Sequence, residues 1–264
     1  MDKVVVDAIT AVGNVKDDSL VGTIYKDLAQ PAIKAIGAAL GTTLEFCTAP
    51  LLIMKFGSEA AKLNYAKHMN NYAKKLEEIP EADRKSVDPQ IGVPIIEKLT
   101  YVTNEEIANL FTNLLAKASS TTTANEAHPA FIQIIERLSP DEARLLASLK
   151  SRTGIPYIGL NGIKETSYTE ILHTLTDFTF NVDFAFPFNL QTYLDNLISV
   201  GILSKFDGKS LTDENLYNRL IELHNIEATE QALIISQLYI STERTKGLMK
   251  TTAFGESFIQ ATIA

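Results

Sequence analysis

Apolar residues recur at helical spacing through the first half of the chain. Between Asp27 and Gly57, Ile33, Ile36, Leu40, Leu44, Cys47 and Leu51 fall on one side of a helix. Lys34, Gly41, Glu45 and Thr48 fall largely on the other. Pro31 suits a helix start, and Pro50 ends or kinks this helix. Gly37 and Gly41 enclose Ala38 and Ala39, a small-residue patch that lets another helix approach closely. Ahead of this stretch, residues 1–27 have no strong period and read as a short helix or a loose arm.

The second helix is predicted from Glu59 to Ile79, with Leu63, Ala66, Met69, Tyr72 and Leu76 inward and its lysines in water. Pro80 to Pro94 reads as a linker, followed by a short apolar helix from Val93 to Leu99. Thr103-Asn104-Glu105-Glu106 is a capping signal for a helix holding Ile107, Leu110, Phe111, Leu114 and Leu115. After a polar loop from Ser119 to Asn125, His128-Pro129 opens a helix through Leu138. Ser139-Pro140-Asp141-Glu142 opens the next, with Pro140 at its first position.

Past Gly154 the pattern changes. Aromatic and β-branched residues predict strands at Tyr157–Leu160, Thr179–Phe188 and Tyr239–Thr242. Helices are expected at Asn189–Val200 and Asp213–Leu223, and the chain ends as strand, turn, strand and helix. The expected fold is therefore mainly α. A helical domain over 1–139, with its apolar Gly/Ala-rich segment at 28–57, precedes a smaller α+β domain over 140–264. The order of elements in the latter is that of a winged helix, which fixes architecture and not activity.

Composition narrows the function. With 264 residues and 45% hydrophobic content the chain can bury a sizeable core. Its net charge of −8 repels nucleic acid over most of its surface. The single cysteine, Cys47, leaves no partner for an intramolecular disulfide. The start, Met1-Asp-Lys-Val-Val-Val-Asp, lacks the features of a secretory leader. The uncharged apolar stretches fall short of the roughly 20 residues of a spanning helix. A cytoplasmic protein is the expectation.

Catalytic motifs do not emerge. The histidines at 68, 128, 173 and 224 have no metal-ligand spacing, and no nucleophile elbow or phosphate loop occurs. Cys47 lies on an apolar helix face, where a thiol is an inert small hydrophobe. Glu105-Glu106 and Asp141-Glu142 stand where first-turn acids favour the helix dipole. No enzyme activity, metal or cofactor is expected.

Three segments resemble the Abi-alpha family, linked to bacterial resistance against phage. They are Tyr25-Lys-Asp-Leu-Ala-Gln-Pro-Ala with the apolar stretch through Gly57, Glu105-Glu-Ile-Ala-Asn-Leu-Phe-Thr-Asn-Leu-Leu-Ala-Lys-Ala, and His128-Pro-Ala-Phe-Ile-Gln-Ile-Ile-Glu-Arg-Leu-Ser-Pro-Asp-Glu-Ala-Arg-Leu-Leu. The resemblance covers roughly residues 20–150, with an echo at Thr252-Ala-Phe-Gly-Glu-Ser-Phe-Ile. It implies phage defence and brings no catalytic residues.

The expected function is a non-enzymatic phage-defence protein acting through protein contacts or a membrane-active helical segment. The candidate membrane or self-association face is Ile36, Gly37, Leu40, Gly41 and Leu44. The alternative is a DNA-binding regulator using the winged helix, with Arg244, Lys246 and Lys250 as its patch and Lys205 and Lys209 nearby. Against it, the counterpart of a recognition helix, Asn189–Val200, contains no Lys or Arg. A protein partner or self-association is favoured over nucleic acid, with membrane contact conditional on triggering.

Overall fold

The computed structural model describes residues 35–41 and 57–263. The described residues are mainly helical, with one small antiparallel sheet among those of the second half. The described residues divide into two compact units. One runs from Arg144 to Ile259; the other comprises the residues up to Ala143 and those from Gln260.

Local caps set most helix boundaries of the first unit. Helix α1 (Glu59–Glu77) starts where the Ser58 hydroxyl accepts from the Ala61 amide. Its buried face holds Ala66, Met69, Tyr72 and Leu76 as the spacing requires, with Tyr65, His68 and Ala73 added. Leu63 is only half-buried. Helix α2 (Pro89–Leu99) begins earlier than its apolar pattern suggests, because Asp88 caps the Gln90 amide at 2.8 Å and Pro89 takes the first helical position. Part of the expected linker is thus helix, and Pro94 removes one main-chain hydrogen bond without ending it. Helix α3 (Glu105–Ala118) starts at the expected signal, the Asn104 side chain accepting from Ile107 N at 3.0 Å. Helix α4 (Ala130–Glu136) follows His128, whose Nδ1 accepts from Ala130 N at 3.1 Å. A full capping box opens α5 (Pro140–Leu149): Ser139 N donates to Glu142 Oε2 at 2.6 Å, and Glu142 N donates to Ser139 Oγ at 3.3 Å.

Helices α1 and α3 pack together through an apolar layer crossed by several polar ties. Buried Tyr72 meets Ser119 Oγ at 2.7 Å, and Ser119 hands its own proton to the Leu115 carbonyl. The Lys75 ammonium donates to Thr112 Oγ1 at 2.8 Å. The helical pattern puts the lysines of α1 in water, and Lys75 departs from that. It is half-buried, and burial, partly offset by the nearby Glu78 carboxylate, lowers its pKa to about 8 from 10.5. His68 is buried too. Burial holds its pKa below the ordinary value while Nε2 donates to the Val102 carbonyl at 2.8 Å.

The second unit is built on four strands: β1 (Ile155–Ile163), β2 (Tyr168–Leu175), β3 (Leu203–Asp207) and β4 (Ser241–Thr251). All neighbours are antiparallel, in the order β2-β1-β4-β3. Between strands lie α6 (Phe178–Asn181), α7 (Leu190–Ser199), α8 (Glu214–Leu223) and α9 (Ile226–Ile235); α10 (Ala253–Thr262) follows β4. Ile158 and Leu160 of β1 form a core with Tyr217, Leu220 and Ile226 of the α8–α9 pair.

Three expectations are corrected here. Thr179–Phe188 is no strand. Of its alternating positions 180, 182, 184, 186 and 188 only Phe184 is buried, and Pro187 has no amide to donate to a ladder. The terminal strand, turn and strand are one eleven-residue strand, β4, paired on both sides. Strand β2 and helix α9 lie where no element was expected; β2 is an edge strand with its first three residues exposed.

Strand β4 and α10 are joined to the end of α7 by a tight backbone contact. Thr252 N donates to Ile202 O at 2.9 Å, Thr252 Oγ1 donates to Gly201 O at 2.6 Å, and Gly255 N donates to Thr252 Oγ1 at 2.9 Å. A Cβ at Gly255 would stand 2.3 Å from the Ile202 carbonyl oxygen, which is main chain and has nowhere to go.

Two predictions come from these contacts. Gly255→Ala should destabilise the protein by about 2 kcal/mol or more, read from urea denaturation. Lys75→Met should stabilise it by about 1 kcal/mol at pH 7, after discounting for the partial exposure of the ammonium. Because the Lys75 pKa is about 8 when folded and 10.5 when free, the penalty is complete below pH 8 and vanishes above 10.5. The difference between variant and wild type should therefore shrink as pH rises across that window, and a difference independent of pH excludes the charge as its cause.

Candidate functional site

Strand β4 carries the three cations singled out in the sequence, at positions an even number of residues apart and hence on one face. The register pairs Leu160 with Arg244 and Ile158 with Lys246, so this is the face on which α8 and α9 pack. There the cations meet carboxylates. Arg244 forks Glu230, Nε to Oε1 at 2.9 Å and Nη2 to Oε2 at 2.6 Å, with Glu227 at 3.8 Å. This hydrogen bonding holds the Glu230 carboxyl below its ordinary pKa and raises that of Arg244. Lys246 pairs with Glu214 and lies 5.3 Å from the centre of the Tyr217 ring. Lys250 is exposed and has no ion pair among the described residues.

Lys205 sits on the other face, opposite Met249 in the ladder. Its ammonium donates to Thr174 Oγ1 at 3.0 Å, stands 4.8 Å over the Tyr157 ring, and is 3.7 Å from Asp207. The Tyr157 hydroxyl donates to Asp207, and burial first, then the carboxylate, pushes the phenol well above its usual range. The ring lies so close over Gly247 that no side chain fits there: a Cβ would stand 2.0 Å from Tyr157 Cζ. Lys209 stacks 4.8 Å over Phe206. The β4 trio and Lys205 are therefore not gathered into one basic patch.

In the apolar N-terminal segment, residues 35–41 are helical. Leu40 is fully buried, Ile36, Gly37 and Gly41 are half-buried, and the Ala39 carbonyl accepts from Val87 N at 2.9 Å. Leu44 lies outside the described residues, as do residues 1–34 and the kink expected at Pro50. No helix among the described residues is long and apolar enough to cross a membrane.

The charge pattern misses a different surface. At one end of the sheet, Ile163 pairs with both Tyr168 and Ser241, and its carbonyl accepts from Ile240 N at 2.8 Å. Tyr168 and Ile240 are exposed there, and so are Ile234, Ile235 and Leu238 at the end of α9 and just after it. Ile235 is 80% exposed. The signal in the sequence is a run from Gln231 to Thr242 without any charge, too irregular for an amphipathic helix. A second exposed apolar group lies on the segment after β2: Phe180, Phe186 and Phe188. In the first unit, a cavity of about 260 Å³ is lined by Lys85, Asp88, Gln90, Ile91 and Pro129 among others. Its one carboxylate already caps α2.

The sheet's edges are blunted. Strand β2 has two register shifts against β1, each adding a residue on the β2 side, and bears Glu170 and His173. Strand β3 has only five residues and carries Lys205 and Asp207.

No curated protein matches the chain. A solved structure, that of an uncharacterized protein from the hydrocarbon-degrading marine bacterium Alcanivorax borkumensis, is similar over 55% of this chain and 99% of its own. Its identity is 16% and its TM-score 0.35, a likeness too distant to support fold or function. The family model described as Abortive infection alpha matches residues 60–262. It takes in α1 to α10 and so reaches well past residue 150, where the resemblance read from sequence thins to its echo at Thr252; the segment from Tyr25 to Gly57 precedes it. With most of its length matched, the chain belongs to the abortive infection alpha family.

Proposed function

We propose that this protein serves abortive-infection-type phage defence without enzymatic chemistry, through a protein contact made by its second unit. Family membership supports the biological setting. The observation that carries the contact is the exposed apolar group at the end of the sheet: Tyr168, Ile234, Ile235, Leu238 and Ile240. Exposed apolar side chains of this kind gain free energy when a partner covers them.

The order of β1, α6, α7, β3 and β4, with β4 lying between β1 and β3, supports reading the second unit as winged-helix-like. Helices α8 and α9 then occupy the connection where a wing would run. A contact with protein fits this unit better than one with DNA. Helix α7 contains no Lys or Arg, and Arg244 and Lys246 are already neutralised. The reading places the protein in the cytoplasm, where an infecting phage exposes its components.

The test is phage plating on a bacterial host that the wild-type chain protects. Replacing Ile235, Leu238 and Ile240 together by Ser should raise plating about tenfold or more, with the purified variant as thermally stable as the wild type. Undiminished protection by the folded variant would refute the contact at this surface.

A further inference from the structure

No Lys or Arg occurs between Lys164 and Lys205, while Glu165, Glu170, Asp177, Asp183 and Asp195 all do. Within that stretch the segment from Phe178 to Asn189 is rich in phenylalanine, and the structure divides these residues into two sets. Phe178 and Phe184 are buried anchors. Phe178 lies 4.7 Å beneath the Arg152 guanidinium, which also forks Asp177 at 2.8 and 3.0 Å. Phe184 packs against Tyr193 at 5.8 Å, and the Tyr193 hydroxyl donates to the Phe186 carbonyl. Arg144 Nη1 holds the Asp183 carbonyl at 3.2 Å. The segment is therefore pinned at several points along its length.

The other set faces outward. Phe180 and Phe186 are more than half exposed, and Phe188, just past Pro187, is 100% exposed. Pinned, exposed aromatics bury large area at little cost in ordering, which is the character of interface hot spots. Within the segment the exposed charge is the Asp183 carboxylate, while Arg144 and Arg152, which hold the segment, are half-buried.

Charge selects the partner. A second copy would bring acid against acid, and an anionic bilayer would be repelled in the same way. A cation over an aromatic face is attracted, and this unit already uses that arrangement at Arg152–Phe178, Lys205–Tyr157 and Lys209–Phe206. We propose that the segment from Phe180 to Phe188 is a docking surface for a protein segment that presents Lys or Arg around an apolar centre. The inference rests on reading the chain as a contact protein, but on different residues. Its test reads binding in solution rather than phage growth, so either can fail without the other.

The probe is a fluorescently labelled amphipathic peptide of Leu, Ala and Arg, with versions in which Gln or Glu replaces every Arg, titrated into the full chain. The Arg peptide should bind, and Phe186→Ser with Phe188→Ser should weaken it about tenfold or more. Phe188→Ser alone, which removes a fully exposed side chain and leaves the packing intact, should give part of that loss. Asp183→Asn should weaken it about twofold and flatten its salt dependence. Equal binding of the Arg peptide to the Phe186→Ser, Phe188→Ser variant, or equal binding of the Gln or Glu peptide to wild type, would overturn the proposal. So would a dimer in sedimentation, or flotation on phosphatidylglycerol vesicles, that only the phenylalanine variant loses, since the occupant would then be a second copy or a membrane.

Discussion

Strand β4 has a neighbour on each side, yet its middle reads Thr-Glu-Arg-Thr-Lys-Gly. A central strand with two cations on the face where helices pack is best matched by helices that bring carboxylates to that face, even though each such partly exposed pair adds little by itself. Helices α8 and α9 supply those carboxylates. Glu214, Glu227 and Glu230 meet Lys246 and Arg244, while Tyr217 goes between them into the core. The Tyr217 hydroxyl accepts from Leu211 N at 2.9 Å and donates to Gly247 O at 3.2 Å, tying the helix pair to the middle of β4. The inserted helices and the strand depend on each other. Neither the strand's polar centre nor the helices' acidic face makes sense alone.

This dependence explains which features could be read in advance. Asn104, Ser139 with Glu142, and Pro140 act on amides within three residues, so the starts of α3 and α5 stand in the sequence as they do in space. The prolines around Asp88, by contrast, read as a linker and conceal the start of α2. The pattern of β4 depends on partners 14 and 32 residues away, and read locally it suggests a turn between two short strands. The phenylalanines from 178 to 188 suggest a strand for a similar reason. Their anchors, Arg152 and Tyr193, lie well outside the segment. As for function, the cations of β4 were visible and their neutralisation was not. The exposed apolar surfaces were visible only as an absence of charge.

The family match and the structure meet at Thr252 and Gly255. The hydroxyl that caps α10 also donates to the carbonyl of Gly201, and Gly255 lets α10 rest on the backbone of Ile202. The weakest part of the resemblance, the echo beginning at Thr252, thus falls on one of the tightest backbone contacts of the second unit. Its residue types are set by distance: a hydroxyl small enough to serve two main-chain groups, and a glycine where even a methyl collides.

The blunted edge of the sheet bears on whether copies of this chain could add strand to strand. A flat open strand offers the same unpaired amides to every newcomer, and growth along it has no natural stop. The two shifts in β2 interrupt that row of amides, one between Leu175 and Leu172, where His173 stands, and one between Leu172 and Glu170. A contact between side chains differs from such a ladder: it fills once and closes. At this edge, strand-by-strand growth has no continuous template.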